Sequence, residues 1–337
     1  MRLAISALLL TLALLAVPAQ AASFSCEAAA TPIEEAICGD ETLSNADSVM
    51  ALAFAHAMAG LTEEAGIVAR QGQRDWLAYS DTVCADENLR GDDVPEVERV
   101  TCLQTLYDDR LAILEQNRLV NGHRFYTVDR YAALPDDNER FKLGLKVTSS
   151  LRIDGATPFA QAFNATAAEI TRTYSGRFED FAGTSMDDSV PHEDNSSLMT
   201  IVSHNDARLS VRLDLEWYGH GAAHANSSFG MFHFLFEQMR QLETGDVFEG
   251  KRWQATLAGL VAERASADIR LGEVTYDAAD MASAVEDPLQ WQFTNAGLMV
   301  EFEPGEVVPN GTPAVVVPWA AIEDVLAPDA YAIGVWD

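Results

Sequence analysis

The chain has 337 residues, 48% of them hydrophobic, and a formal net charge of −30. Such a length has room for two domains with separate cores, and such a composition excludes a disordered chain. The charge disfavours nucleic acid and anionic membrane surfaces, which need a basic footprint, and suits a basic protein partner, whose encounter an opposite field speeds. Acidity that serves solubility alone is the plainer reading of the same number.

Residues 1–21 read as a secretory signal. Arg2 supplies the positive start, Leu3 to Val17 the apolar run, and Ala19-Gln20-Ala21 a small-x-small cleavage site. The apolar run is too short to span a bilayer comfortably. Cys26 follows Ala22-Ser23-Phe24-Ser25, which is no lipobox, and no later segment is long and apolar enough to be transmembrane. The expected mature chain is soluble and periplasmic or secreted. Its four cysteines, Cys26, Cys38, Cys84 and Cys102, imply two disulfides in an oxidising compartment. Three pairings are open. Cys26–Cys38 and Cys84–Cys102 close short local loops and are preferred, each contributing about 3 kcal/mol in the chain-entropy model. A zinc site is the rival reading, and the absence of any C-x-x-C argues against it.

From Ala22 to about Arg118 the pattern is helical. Thr31, Pro32 and Glu34 make a helix start with a capping box, and Gly39 ends that helix. A second helix is expected over Leu43–Ala59, with Leu43, Ala46, Met50, Phe54 and Ala57 on its buried stripe. Gly60 stops it. Thr62 with Glu63 and Glu64 opens a third, carrying Ile67, Val68, Trp76, Leu77 and Val83 as apolar residues. Arg90 to Val94 reads as a polar loop. A last helix follows Pro95, with Val97, Val100, Leu103, Leu106, Leu111 and Leu114 as its apolar set. Trp76 and Tyr107 are expected as core anchors, and no residue here forms a credible nucleophile–base pair.

The segments F-x-C (Phe24–Cys26), T-P-I-E-E-A-I-C (Thr31–Cys38) and Q-R-D-W-L (Gln73–Leu77), then Cys84, Cys102, Tyr107 and Arg110, resemble the N-terminal domain of LprI-type lysozyme inhibitors. That family usually places an arginine four residues after the tryptophan, where this chain has Ser80. The resemblance implies a small exported helical domain that binds lysozyme or another wall-associated partner.

Asn117–Gly122 is the expected junction to a second domain, about Gly122 to Asp337. Phe141, Leu143, Leu145 and Val147 alternate toward Ile153 and argue for a strand. Pro158–Tyr174 reads as a helix and acidic Thr184–Ser197 as a loop. Leu198–Val202 and Leu209–Trp217 read as paired strands, the second alternating Leu209, Val211, Leu213 and Leu215 with polar residues. The next strand carries Phe229, Met231 and His233 on one face and Phe232, Phe234 and Phe236 on the other, so it should be buried on both sides. Glu243–Asp246 is expected as a turn, Trp253–Ser266 as a helix, Gln290–Phe293, Leu298–Phe302 and Ala314–Val317 as strands, and Ala320–Leu326 as a short helix. The expected fold is thus two domains, an all-α helical bundle stapled by disulfides, followed by an α+β domain with an antiparallel sheet.

Y-G-H-G-A-A-H-A-N (Tyr218–Asn226), T-G-D-V-F (Thr244–Phe248), F-T-N-A-G-L-M-V-E-F (Phe293–Phe302) and V-V-V-P-W (Val315–Trp319) are similar to the C-terminal domain of RsiV-type anti-sigma factors, also found beside some peptidoglycan deacetylase domains. The block after Thr244 is compressed relative to that family. The resemblance covers about Phe141 to Leu326 and implies a module that binds lysozyme rather than an enzyme.

His220 and His224 stand four apart, a spacing that shares a metal on a helix, but glycines punctuate this segment between strands and no H-E-x-x-H is present. His204 and Asp206 are further ligand types with no link to them in the sequence. Ser227 and Ser228 lack a nucleophile elbow, and His224 is expected to bond backbone in its own turn. No catalytic, cofactor or metal residue is assigned. Tyr218, His220, His224 and Asn226 are the candidate partner-binding residues, exposed at a strand end. The expected function is an exported acidic binding protein of the lysozyme-inhibitor kind, with lysozyme or a similar basic protein as partner. A peptidoglycan-acting or metal-dependent hydrolase centred on His220 and His224, and a sensory module that binds envelope glycan or peptide, are the alternatives.

Overall fold

The computed structural model describes residues 22–85, 88–89, 96–137, 140–182, 192–268, 271, 275–307, 312–331 and 333. The expected signal segment and the polar loop over 90–94 lie outside the described residues. The first helix, α1 (Pro32–Gly39), opens on the expected box: the Thr31 hydroxyl accepts from the Glu34 N–H at 3.2 Å, and the Glu34 carboxylate accepts from the Thr31 N–H at 3.0 Å. The Ala30 N–H, and after it the Thr31 N–H, donate to the Glu34 carboxylate and hold its carboxyl below the usual range. Asp40 caps α2 (Glu41–Met58), Thr62 caps α3 (Glu63–Val83), and α4 spans Glu96–Leu114. Cys26 is joined to Cys38 and Cys84 to Cys102, the pairing chosen from loop length. Trp76 and Tyr107 meet edge to face at 5.2 Å in the core of this bundle. Tyr107 donates to Asp47, whose other oxygen accepts from the Ser23 N–H. Ser80 is buried and donates to the Leu77 carbonyl.

Not every apolar residue of helix α3 faces the core. Ile67 and Leu77 are about half exposed, at 54% and 47%. The buried stripe is Ala65, Ala69, Gly72, Trp76 and Tyr79, and its first three residues are small for a reason. This face approaches the sheet so closely that a Cβ on Gly72 would stand 3.1 Å from the Asp129 Cβ.

Beyond α4 the chain forms a seven-stranded sheet: β1 (Leu119–Val120), β2 (His123–Pro135), β3 (Leu143–Ile153), β4 (Glu193–His204), β5 (Arg208–Gly219), β6 (Asn226–Leu235) and β7 (Arg240–Gln241). The strands lie in chain order and all pairs are antiparallel except β3 with β4. That parallel pair needs a long crossover, and α5 (Pro158–Ala182) supplies it. Phe159, Phe163, Ala167, Ile170 and Tyr174 of α5 pack on Met199, Ile201, Val211, Leu213, Phe232 and Phe234. Both faces of β6 are buried, as its double-sided apolar pattern required.

A second, three-stranded antiparallel sheet completes the fold. The connecting elements are α6 (Thr244–Val247), α7 (Trp253–Ala267), α8 (Ala282–Glu286), β8 (Trp291–Thr294), β9 (Gly297–Glu301), β10 (Ala314–Val317) and α9 (Trp319–Ile322). Its core gathers Phe248, Trp253, Trp291 and Trp319.

A helical, disulfide-bonded region followed by an α+β region with a mostly antiparallel sheet is the observed fold class. Three local readings are corrected. The segment 123–135 is a long strand, where a junction was expected nearby and no strand was assigned. Glu193–Ser197, read as loop, forms the start of β4, because the Glu193 carboxylate is buried and accepts from Trp217 Nε1 at 2.7 Å and Asn195 Nδ2 at 2.8 Å, with Lys146 Nζ at 3.6 Å. Glu243–Asp246 opens a short helix with its own capping box instead of a plain turn.

Candidate functional site

The β5–β6 turn carries the four residues singled out from the sequence. Gly221 occupies the left-handed region at φ +98°, which only glycine adopts without cost. The Tyr218 hydroxyl donates to the Ala222 carbonyl at 3.3 Å, and His224, exposed, uses Nδ1 on the Ala225 carbonyl at 2.9 Å. Asn226 begins β6 opposite Trp217. Tyr218 and His224 are thus occupied with their own turn. His220 differs: its side chain is 1% exposed and faces two carboxylates, Asp136 through Nδ1 and Asp194 through Nε2 at 3.2 Å. The Phe141 ring stacks on it at 4.2 Å, 9° from parallel. Asp136 has a fully buried side chain, and its second oxygen meets His192 Nδ1 at 2.8 Å. His192 also lies 3.6 Å from Asp137, and its carbonyl accepts the His220 N–H at 2.9 Å.

Asp136, Asp137, His192 and Asp194 were not singled out in the sequence. They reach His220 from the end of β2 and the start of β4, and Asp136 is 84 residues away. No local spacing could have announced them. His204 and Asp206 lie at the β4–β5 turn, at the other end of those strands. His233 is elsewhere again, wholly buried beneath the second sheet. Its Nε2–H donates to the Trp291 carbonyl at 2.9 Å, so Nδ1 accepts from the Ser210 hydroxyl at 2.8 Å, and Arg208 donates to that hydroxyl in turn. Burial first, and the Arg208 charge second, push the His233 imidazole down to about 3. This Ser–His contact is therefore an interior pair rather than an accessible nucleophile and base.

A second feature lies where the helical region meets the sheet. Arg110 of α4 is 1% exposed and donates to Asp129 of β2 at 2.7 Å, to the Tyr131 hydroxyl at 3.1 Å, and from Nε to Gln73 at 3.1 Å. Asp129 also accepts from Ser149 and Thr127. Outside this network a cleft of about 480 Å³ opens between α3, α4 and strands β2 to β5. Trp76, Tyr79 and Tyr131 give it aromatic walls, and Val147, Leu198 and Ile113 add aliphatic surface. Three exposed carboxylates, Asp109, Glu115 and Glu216, line its edge, whereas Arg110 is already neutralised by Asp129. Partial burial, with Asp108 beside it, raises the Asp109 carboxyl. Burial likewise raises the Tyr79 and Tyr131 phenols, so both present neutral hydroxyls. The cleft can accept an apolar stem that ends in a cation.

Residues 26–114 match the family model described as Lysozyme inhibitor LprI. The matched segment contains both disulfides and ends with α4, so the helical side of the cleft is drawn from it. No curated protein matches the chain. Among solved structures, a member of the DUF3298 family from Bacteroides fragilis is similar at 13% identity, with a TM-score of 0.46 over 62% of this chain and 95% of that one. A DUF3298 family protein from Pseudomonas aeruginosa is similar at 16% identity, with a TM-score of 0.43 over 62% of this chain and 96% of that one. The lysozyme-inhibitor match and the disulfides fit an extracellular or periplasmic protein, and no helix among the described residues is long and apolar enough to cross a membrane.

Proposed function

We propose that this chain is an exported, acidic binding protein that engages lysozyme or a similar basic, wall-active enzyme. The observation that carries the reading is the match of residues 26–114 to the lysozyme-inhibitor family. The net charge of −30 agrees with it, because opposite fields raise association rates and set orientation. The motif resemblance of the second half to the RsiV-type domain points to the same partner. In this reading residues 1–21 are the signal, 22–118 the helical domain and 122–337 the α+β domain. The protein acts by occupying its partner and performs no chemistry of its own.

The cleft is the docking region we favour. Its aromatic walls take the methylene stem of a lysine or arginine, and its acidic edge takes the charge. The exposed part of the β5–β6 turn, Gly221 to His224, is the second contact surface, with Tyr218 and Asn226 at its half-buried flanks and His220 buried behind it. Incubating the purified protein with several lysozymes, followed by pull-down and a wall-lysis assay at low and physiological salt, tests the reading. Binding that weakens as salt rises is expected. Failure to bind or inhibit any of them at either salt concentration would sink it. Capture by isolated peptidoglycan in their place would shift the function to glycan recognition.

A further inference from the structure

Three strand ends converge beside His220, and their donor atoms are of mixed type. His192 Nδ1 lies 2.8 Å from an Asp136 oxygen and 3.6 Å from an Asp137 oxygen, and these three donor atoms lie within 4.8 Å of one another. Two ligand atoms held roughly 2.0–2.2 Å from one tetrahedral ion stand about 3.3 Å apart, and the observed spacings bracket that value. The outer partner of the set is also in place. His220, its side chain 1% exposed, occupies the other oxygen of Asp136, and its main-chain N–H holds the His192 carbonyl at 2.9 Å. It thus fixes one carboxylate ligand through its side chain and the imidazole ligand through the backbone, as an outer partner does around a bound metal. Phe141, stacked on His220, covers its ring.

We infer that Asp136, Asp137 and His192 form a binding site for a divalent transition cation, best fitted to Zn²⁺, with His220 as the positioning residue behind it. Two carboxylates match the ion's charge. One imidazole favours zinc over calcium or magnesium, which take oxygen ligands. Asp137 is 91% and His192 54% exposed on the side chain, so the ion would face solvent and keep at least one water. A bound ion would tie the end of β2 to the start of β4. The site is separate from the cleft and stands independently of the proposed partner.

The test is calorimetric titration of tag-free, chelator-treated protein with Zn²⁺, and in parallel with Ca²⁺, combined with elemental analysis. One Zn²⁺ per chain is expected, with no comparable Ca²⁺ binding. His192→Ala and Asp137→Ala alter exposed side chains, so both variants should fold and lose saturable Zn²⁺ binding. His220→Gln, checked for folding by circular dichroism, should weaken binding by roughly 10–100-fold while leaving the stoichiometry at one. The absence of saturable Zn²⁺ binding by the unsubstituted protein would overturn the inference. So would Zn²⁺ binding unchanged in the His192→Ala, Asp137→Ala double variant, or a preference for Ca²⁺.

Discussion

Strand β2 leads to two buried aspartates with opposite kinds of neighbour. Asp129, in mid-strand, is paired with Arg110 and further bonded by Ser149 and Thr127. Asp136, just past the strand's end, lies between two histidines, one buried and one half exposed. An arginine is charged at any working pH and fills its carboxylate with directed donors, so the Asp129 site is closed. Imidazole is also a metal ligand, and the set around Asp136 opens to solvent. One buried carboxylate joins the two halves of the fold, and the other bridges two histidines at the end of the sheet. Burial alone does not distinguish them. The partner's chemistry does.

The contrast breaks most sharply at Asp129. Replacing it with Ala leaves the Arg110 guanidinium buried without its counter-charge, and should cost about 3–5 kcal/mol in a urea melt. Arg110→Ala should cost a similar amount, and the double variant clearly less than the sum. If Asp129→Ala is nearly neutral, the helical region does not depend on this junction. Asp136→Asn should cost less, about 1–3 kcal/mol, because the amide still bonds a histidine and the site is half open.

His233 supplies a third case, a buried histidine with neutral partners. Its folded value near 3 lies below the ordinary 6.5, so between those values the unfolded chain binds the extra proton. Its share of stability is therefore complete above pH 6.5 and is lost as pH falls toward 3, at up to about 1.4 kcal/mol per pH unit. Stability measured over that window in the parent and in His233→Gln should show a shallower acid slope in the variant. Equal slopes would contradict the buried neutral imidazole. Smallest in stability are the cleft carboxylates. Asp109→Asn, Glu115→Gln and Glu216→Gln together should change unfolding by less than about 0.5 kcal/mol each, since all three side chains are exposed.

Much of the helical half was legible because its signals are local. The Thr31–Glu34 box, the Thr62 cap and the short cysteine loops each lie within a few turns of chain. Strand β2 was hidden because its inward residues include Thr127 and Asp129, whose burial is balanced by Asn117 and Arg110 from another element. The start of β4 was hidden likewise, by Glu193 and Asn195 satisfying each other and Trp217 inside the sheet. At the candidate site His220 was visible, and its glycine-flanked setting correctly argued against helical pairing with His224. Its real neighbours come from strands that only the sheet order brings together.

The central claim is that a basic wall-active enzyme docks at an acidic cleft built partly from residues 26–114, the segment that matches the lysozyme-inhibitor family model. The most direct measurement is the association rate with a lysozyme across a salt series, for the parent and for the Asp109→Asn, Glu115→Gln, Glu216→Gln variant. The expected result is measurable binding whose rate falls with salt, and a roughly tenfold slower association for the variant at low salt. No binding by the parent, or the same rate and salt dependence in both proteins, would contradict it.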